Sequence, residues 1–538
     1  MNASSTPTNP CQHGTDGSNH SAAAATAMTT GGATLNRATR ARALERLAGQ
    51  EYDVIVIGGG VTGAGVALDA ASRGLRTALV EKLDLAAGTS RWSSKLCHGG
   101  LRYLAKGDIA VAWESVLERG HLMTRIAPHL ARPIPYIVPL DVHTSAPMGA
   151  LAEAGIRAAD AMRIAARTSG EVLPRPRRID AHTTLCLAPG MRTDGLRGAI
   201  LYYDGWLEDD ARLVVALART AAAHGADIIT RCTVLSAGER EAQLRDELTG
   251  ETLTARGLVI NATGVWADQL EPALTVRPSR GSHLVFRSQR LGNPRAVITA
   301  PVPGHFGRYV FAIPQPDGLT LVGLTDEAAP GVDGTAPSVP EEDEQFLLSV
   351  MSASLQQPLT KEDIVGRFAG LRPLIEEAGQ SSTADVSRRH LLLDEPGRPL
   401  TIAGGKLTTY RAMAQDAVDA ACVRLQRDLP CRTTRLPLIG AAPSAVLQRL
   451  EAPERYVRRY GTEAPRVLAL QQQYPEMATA VSADCPTTGA ELLFGALYEG
   501  ALSVEDLLER RSRVSFDESA IAPGRALAER ALEIAASA

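Results

Sequence analysis

Lysine is nearly absent. Of the 56 basic residues five are lysines (Lys82, Lys95, Lys106, Lys361 and Lys406) and 51 are arginines, a skew that reads as genome composition and makes each lysine worth locating. Excess charge of one sign is also missing. The 56 basic residues face 60 acidic ones, and a net charge of -4 supplies no general field for gripping a nucleic-acid backbone, which excludes nucleic acid as the main partner. The seven cysteines (Cys11, Cys97, Cys186, Cys232, Cys422, Cys431 and Cys485) are odd in number and scattered, without C-x-x-C spacing. That excludes a cysteine-built metal site or redox pair and fits a reducing cytoplasm; no metal is expected. No uninterrupted apolar run reaches 18 residues, so no spanning helix is expected and the chain reads as soluble or as lying on a membrane surface. Residues 1–35 carry no Lys or Arg and no apolar core, unlike a secretory or mitochondrial leader, and are expected to form a disordered tail.

What is present is a globular composition. The chain has 538 residues, 45% hydrophobic and 22% charged, enough at roughly 100–200 residues per domain for three or four domains. Residues 36–50 predict a short helix with Leu44 and Leu47 on one face, docked beside the first strand. Asp53-Val-Ile-Val-Ile57 is the continuous β-branched run of a strand buried on both faces of a parallel sheet. A small-residue helix over 61–73, capped by Gly74, and a strand at Thr77–Val80 complete a compact β-α-β unit. Residues 209–224 read as a helix, and 227–230 and 258–261 as further buried strands. Between Val276 and Asp326 short strand-like runs alternate with Gly and Pro, predicting an antiparallel sheet and a second lobe. After Pro437 the pattern is mainly helical.

Gly58-Gly59-Gly60-Val61-Thr62-Gly63 satisfies G-x-G-x-x-G between a strand and a helix. Gly58 permits the tight turn, Gly60 lets backbone approach a pyrophosphate, and Gly63 brings helix against strand, while the helix N-terminus favours negative charge. Glu81 closes the second strand, where a carboxylate can accept ribose hydroxyls. These residues do not distinguish NAD from FAD. The discriminating segments are the polar run 88–104 (Gly-Thr-Ser-Arg-Trp-Ser-Ser-Lys-Leu-Cys-His-Gly-Gly-Leu-Arg-Tyr-Leu), Asn261-Ala-Thr-Gly-Val-Trp266 and Gly404-Gly-Lys-Leu-Thr-Thr-Tyr-Arg411.

In order and spelling these segments resemble the FAD-dependent glycerol-3-phosphate dehydrogenases of the D-amino-acid oxidase-like superfamily, from about Tyr52 to Arg411 and weakly beyond. The resemblance implies an α/β fold: a Rossmann-like FAD-binding lobe interleaved with an antiparallel-sheet substrate lobe over 36–440, the latter including about 276–395, then a C-terminal helical domain over 441–538. It implies that Gly58, Gly60, Gly63 and Glu81 hold the adenosine half of FAD. Thr89, Ser90, Ser94 and Lys95 match the segment along the pyrophosphate and flavin, and Val234 falls near the adenine. Thr263 and Gly264 match a second cofactor contact, and Lys406, Leu407 and Thr408 the loop approaching the flavin.

The implied reaction oxidises sn-glycerol 3-phosphate to dihydroxyacetone phosphate, with electrons passed to a membrane quinone. A phosphate dianion leaving water needs charged donors, and arginine offers a bidentate fork. The family matches are Arg102, beside Tyr103, together with Arg372 and Arg388. A base must take the hydroxyl proton; His98 is favoured, with His283 and Arg372 as the next candidates. Alternatives are an oxygen-dependent glycerol-3-phosphate oxidase, an amino-acid oxidase, and a non-catalytic flavoprotein; a homodimer is left open. Peripheral binding to the inner face of the cytoplasmic membrane is expected from residues 157–178, where Arg157, Arg163, Arg167, Arg175, Arg177 and Arg178 face Asp160 and Glu171 beside Ile156, Met162 and Ile164.

Overall fold

The computed structural model describes residues 33–105, 107–142, 144–305, 307–375 and 389–538. Its first sheet grows from the β-branched run at Glu51–Ile57. That strand pairs in parallel with Thr77–Val80 on one side and Thr252–Asn261 on the other, and Asp227–Ile229 and Leu400–Gly404 extend the parallel set outward. Antiparallel strands Cys232–Ala237, Glu241–Asp246 and His390–Leu393 complete the sheet. The helix Val61–Ser72 can afford almost no side-chain bulk, because it lies between the helices Asp210–Ala223 and Tyr410–Arg424. A Cβ at Gly65 would come within 2.9 Å of the Tyr410 ring, which explains the run of glycine and alanine.

The second sheet is antiparallel except for one parallel pairing, Val297–Pro301 with Ala131–Pro139. Its longest ladder joins Val276–Arg287 to Ile364–Ile375. Four strands come from earlier in the chain than the expected lobe: Leu96–Cys97, Ala131–Pro139, Arg177–Ile179 and Ala199–Leu207. Conversely His390–Leu393, inside the expected 276–395 span, pairs with Leu400–Gly404 in the first sheet.

The C-terminal helices enclose their own core around Val467, Leu493, Phe494 and Leu507. Buried ion pairs tie that unit to the first sheet's helix layer, among them Arg219 with Glu463 at 2.6 Å and Arg212 with Glu499. The expected tail over 1–35 is shorter at its inner end. Residues 1–32 lie outside the described residues, but Leu35 is buried, donates its N–H to Tyr498 O and accepts from Gly500, while Ala33 O accepts from Arg219. An isolated leucine among small polar residues carries no periodicity that would announce this docking.

Candidate active site

Between the two sheets lies a cavity of about 1110 Å³, lined by residues of both. The glycine turn forms part of its wall. Gly58 sits at φ 111°, where a Cβ would lie 2.6 Å from Ala262 O, and a Cβ on Gly63 would fall 1.9 Å from Gly58 O. Gly63 is therefore a packing glycine. A Cβ on Gly60 would meet only Ser90 Oγ, at 3.2 Å, so protein backbone does not crowd this position as it does Gly58 and Gly63. Val61 N–H, in the first turn of the helix, donates to Ser90 Oγ at 2.9 Å. Glu81 accepts from Gly59 N–H at 2.6 Å and Leu83 N–H at 2.8 Å, which fixes its carboxylate at the cavity wall, and burial raises its pKa. Each oxygen keeps a further lone pair for a ligand hydroxyl. A backbone cradle, a helix N-terminus and a carboxylate fit a dinucleotide.

The polar run after Glu81 contributes Thr89, Ser90, Ser94 and His98 to the same wall. Thr89 Oγ1 donates to Leu371 O at 2.7 Å, and Ser94 Oγ stands 2.8 Å from His283 Nε2. Lys95 does not line the cavity. With left-handed backbone at φ 58°, its ammonium turns into the core, 2.7 Å from Asp210 and 2.6 Å from Arg91 O. There it sits over the Phe368 and Phe516 rings, so its charge is spent inside the protein. Val234, Thr263, Gly264, Lys406, Leu407 and Thr408 all reach the cavity. Thr263 Oγ1 donates to Asn261 Oδ1 at 2.7 Å, and Lys406 Nζ donates to Ser115 and stands 4.3 Å from the Tyr103 ring centroid.

His98 precedes Gly99, whose N–H donates to Asp204 at 3.0 Å, and Asp204 in turn accepts from Arg119 at 2.6 Å. Asp204 and Arg119 thereby hold the backbone that presents His98, and the His98 ring stacks near Tyr103. His283 is buried against Phe368, with ring centroids 4.6 Å apart, and a Cβ on Gly323 would strike its ring. Burial, reinforced by the charges of Lys95 and Arg372, lowers its pKa to about 3. Arg372 lines the cavity and donates to Thr325 O at 3.0 Å and Ser279 Oγ at 3.2 Å, with Asp326 at 3.3 Å. Arg102 lies in the helix Leu101–Ala105, but its side chain is outside the described residues, as is Arg388 altogether.

Sequence reasoning gave no site role to two cavity-lining cations, Lys82, next to Glu81, and Arg308. Arg308 follows Gly307 at the mouth of the strand Tyr309–Pro314, and its side chain has no partner among the described residues. Its signal was a charged residue at a strand start, one arginine among 51.

Residues 53–411 match the family model described as FAD dependent oxidoreductase, and residues 431–538 match the C-terminal domain of alpha-glycerophosphate oxidase. Glycerol-3-phosphate dehydrogenase 1 of Mycobacterium tuberculosis is 48% identical over 493 residues, covering 90% of this chain and 95% of its own. The chain belongs to the FAD-dependent glycerol-3-phosphate dehydrogenase family. Its cofactor is FAD. The mitochondrial glycerol-3-phosphate dehydrogenase of Mesocricetus auratus is 32% identical over 510 residues, with 87% of this chain and 68% of that one covered. Among solved structures, the glycerol-3-phosphate dehydrogenase of Bacillus halodurans complexed with FAD superposes with a TM-score of 0.72 at 26% identity, covering 94% of each chain.

Proposed function

We propose that this family member oxidises sn-glycerol 3-phosphate to dihydroxyacetone phosphate and delivers the electrons to a quinone at a membrane surface. One observation carries the reading: a single cavity holds the dinucleotide turn, two histidines and the guanidiniums of Arg308 and Arg372. When bound, FAD supplies the acceptor for the hydride that leaves C2 of the substrate. Gly58, Gly60 and Glu81 would hold its adenosine half, and Thr89, Ser90, Ser94, Lys406 and Thr408 flank the remainder of the space.

The chain's own residues supply charge and a base. Arg308 and Arg372 pair with the phosphate, and the hydrogen bonds from Arg372 to Ser279 and Thr325 O preset its fork before substrate enters. His98 takes the C2 hydroxyl proton, positioned by the Asp204–Gly99 contact. His283 stays neutral, and its Nε2 is occupied with Ser94. Glycerol, lacking the dianion, forfeits both arginine contacts.

One wall of the cavity supports the membrane reading. Helices Leu101–Ala105, Ile109–His121 and Ala146–Ala165 pack together, and Leu101, Leu104 and Leu151 line the cavity. Ile109 and Leu151 are 63% and 56% exposed, and Trp113, Met148 and Ile164 are exposed beside them. Of the expected basic segment, Arg163 is buried on Asp160, and the exposed Arg157 and Arg178 share the single carboxylate of Glu153, so one charge of that pair stays outward beside those of Arg167, Arg175 and Arg177. Ile156 packs inward. Apolar tips and cations of this kind suit shallow seating on anionic lipid.

Turnover of sn-glycerol 3-phosphate with a soluble quinone analogue should yield dihydroxyacetone phosphate without peroxide, and the holoprotein should sediment with anionic vesicles. Peroxide formed in proportion to product would make the protein an oxidase. Equal sedimentation of wild type and an Ile109→Ser, Leu151→Ser variant would remove this face from the membrane.

A further inference from the structure

The loops that line the dinucleotide side of the cavity are themselves held from behind by the C-terminal domain. Asp84 lies between the cavity-lining Leu83 and Ala87 and is buried. It accepts from Arg510 Nε at 2.8 Å and from both terminal nitrogens of Arg511, at 2.9 and 2.8 Å. Arg91, between the cavity-lining Ser90 and Trp92, pairs with Glu509. Arg231, one residue before the cavity-lining Cys232, Thr233 and Val234, pairs with Asp506 at 2.6 Å. All four C-terminal partners belong to one wide helical turn, Asp506–Arg511.

The turn is also internally tied. Arg510 donates to Asp506 at 2.6 Å and to Glu509 at 2.8 Å, so the three loops are joined through one guanidinium. On the cavity side Ala86 N–H donates to Gly59 O at 2.9 Å and Arg231 N–H to Leu83 O at 3.1 Å. An unbroken series of hydrogen bonds therefore runs from Arg510, through Asp84 and the short Asp84–Ala86 backbone, to the glycine turn. None of Asp84, Arg91, Arg231 or the six residues of the turn lines the cavity.

We propose that the Asp506–Arg511 turn is a cofactor-retention element: its charged residues position the loops at Leu83–Ala87, Ser90–Ser94 and Cys232–Val234, and FAD affinity depends on them although they touch no part of the cavity. The physical reason is preorganisation. A loop that must be ordered when the cofactor binds subtracts its ordering cost from the binding free energy, and a loop already pinned does not. Buried pairs with well-aligned additional hydrogen bonds give such pinning its geometry, whereas exposed ones do not. The inference rests on FAD occupying this cavity, which FAD content of the isolated wild type checks separately.

The test uses full-length protein, stripped of FAD and retitrated, with the FAD dissociation constant and the apoprotein melting temperature measured for each variant. Glu509→Gln removes the Arg91 charge pair at the partly exposed edge of the network, and Arg510→Met removes its hub while keeping the aliphatic stem. Both should weaken FAD binding, by roughly 3–30-fold, as expected for coupling through a packed network. Arg510→Lys should restore part of the loss. Glu463→Gln, which breaks the Arg219 pair between the same two units away from the cavity loops, should lower the melting temperature and leave the FAD dissociation constant at its wild-type value. Unchanged FAD affinity in Glu509→Gln and Arg510→Met would overturn the proposal, as would equal weakening by Glu463→Gln, which would reduce the network to ordinary interdomain stabilisation.

Discussion

Ser94 Oγ lies 2.8 Å from His283 Nε2, two residues 189 positions apart that meet where the two sheets face each other. The imidazole is fixed on its other side by an aromatic stack, Phe368 at 4.6 Å and then Phe516 of the C-terminal unit at 4.9 Å from Phe368. A ring so enclosed is placed accurately but gains a proton reluctantly, which separates its role from that of His98.

His98→Ala should lower the rate constant of flavin reduction by about 10²–10⁴, the usual reach of a positioned base, with less change in substrate binding. Stopped-flow reduction under single-turnover conditions measures it. A wild-type rate in His98→Ala beside a comparable loss in His283→Ala would move the role of base to His283.

Arg308→Ala and Arg372→Ala should each raise KM for sn-glycerol 3-phosphate while FAD content stays at the wild-type level. Loss of a charge-assisted contact to a desolvated phosphate costs on the order of 2–5 kcal/mol, hence roughly 30-fold or more. Steady-state kinetics with measured flavin content checks both. Unchanged KM in both variants would place the phosphate elsewhere.

Two glycines of one turn should fail differently. Gly63→Ala forces a Cβ into Gly58 O and should unfold the turn, lowering apoprotein stability as well as FAD content. Gly60→Ala meets only a serine hydroxyl in the protein, so the apoprotein should melt near the wild-type temperature and lose affinity for FAD alone. Melting curves of the two apoproteins, with FAD titration, distinguish these outcomes.

Acid should destabilise the protein through two buried histidines. Burial lowers the pKa of His129 and of His283 from 6.5 to about 3. Between those values the unfolded chain binds protons that the folded one does not, so stability is complete above about pH 6.5 and falls as the pH drops. At pH 5 each histidine should remove about 2 kcal/mol. The fall in melting temperature from pH 7 to pH 5 should be shallower in His129→Gln, and an unaltered slope would contradict it.

The β-α-β unit was legible because β-branched residues, glycines and a terminal carboxylate fall within 31 positions, Asp53 to Gly63 to Glu81 among them, and each has a local physical reason. The second sheet was half legible. Ala131–Pro139 carries prolines at 133, 135 and 139, which argue against a strand by local rules, yet Pro133 and Pro135 lie where only one neighbouring strand pairs. Lys95 was read as a cofactor contact because its motif carries it, and only the packing reveals that Asp210 takes its charge. Asp84 and Arg511 are 427 positions apart, so no local pattern could join them.

Anaerobic mixing of the FAD-loaded protein with sn-glycerol 3-phosphate tests the central reading directly. The visible flavin absorbance should bleach at a rate that saturates with substrate, while glycerol at the same concentration leaves it almost unchanged. A flavin that stays oxidised in the presence of saturating sn-glycerol 3-phosphate would contradict it.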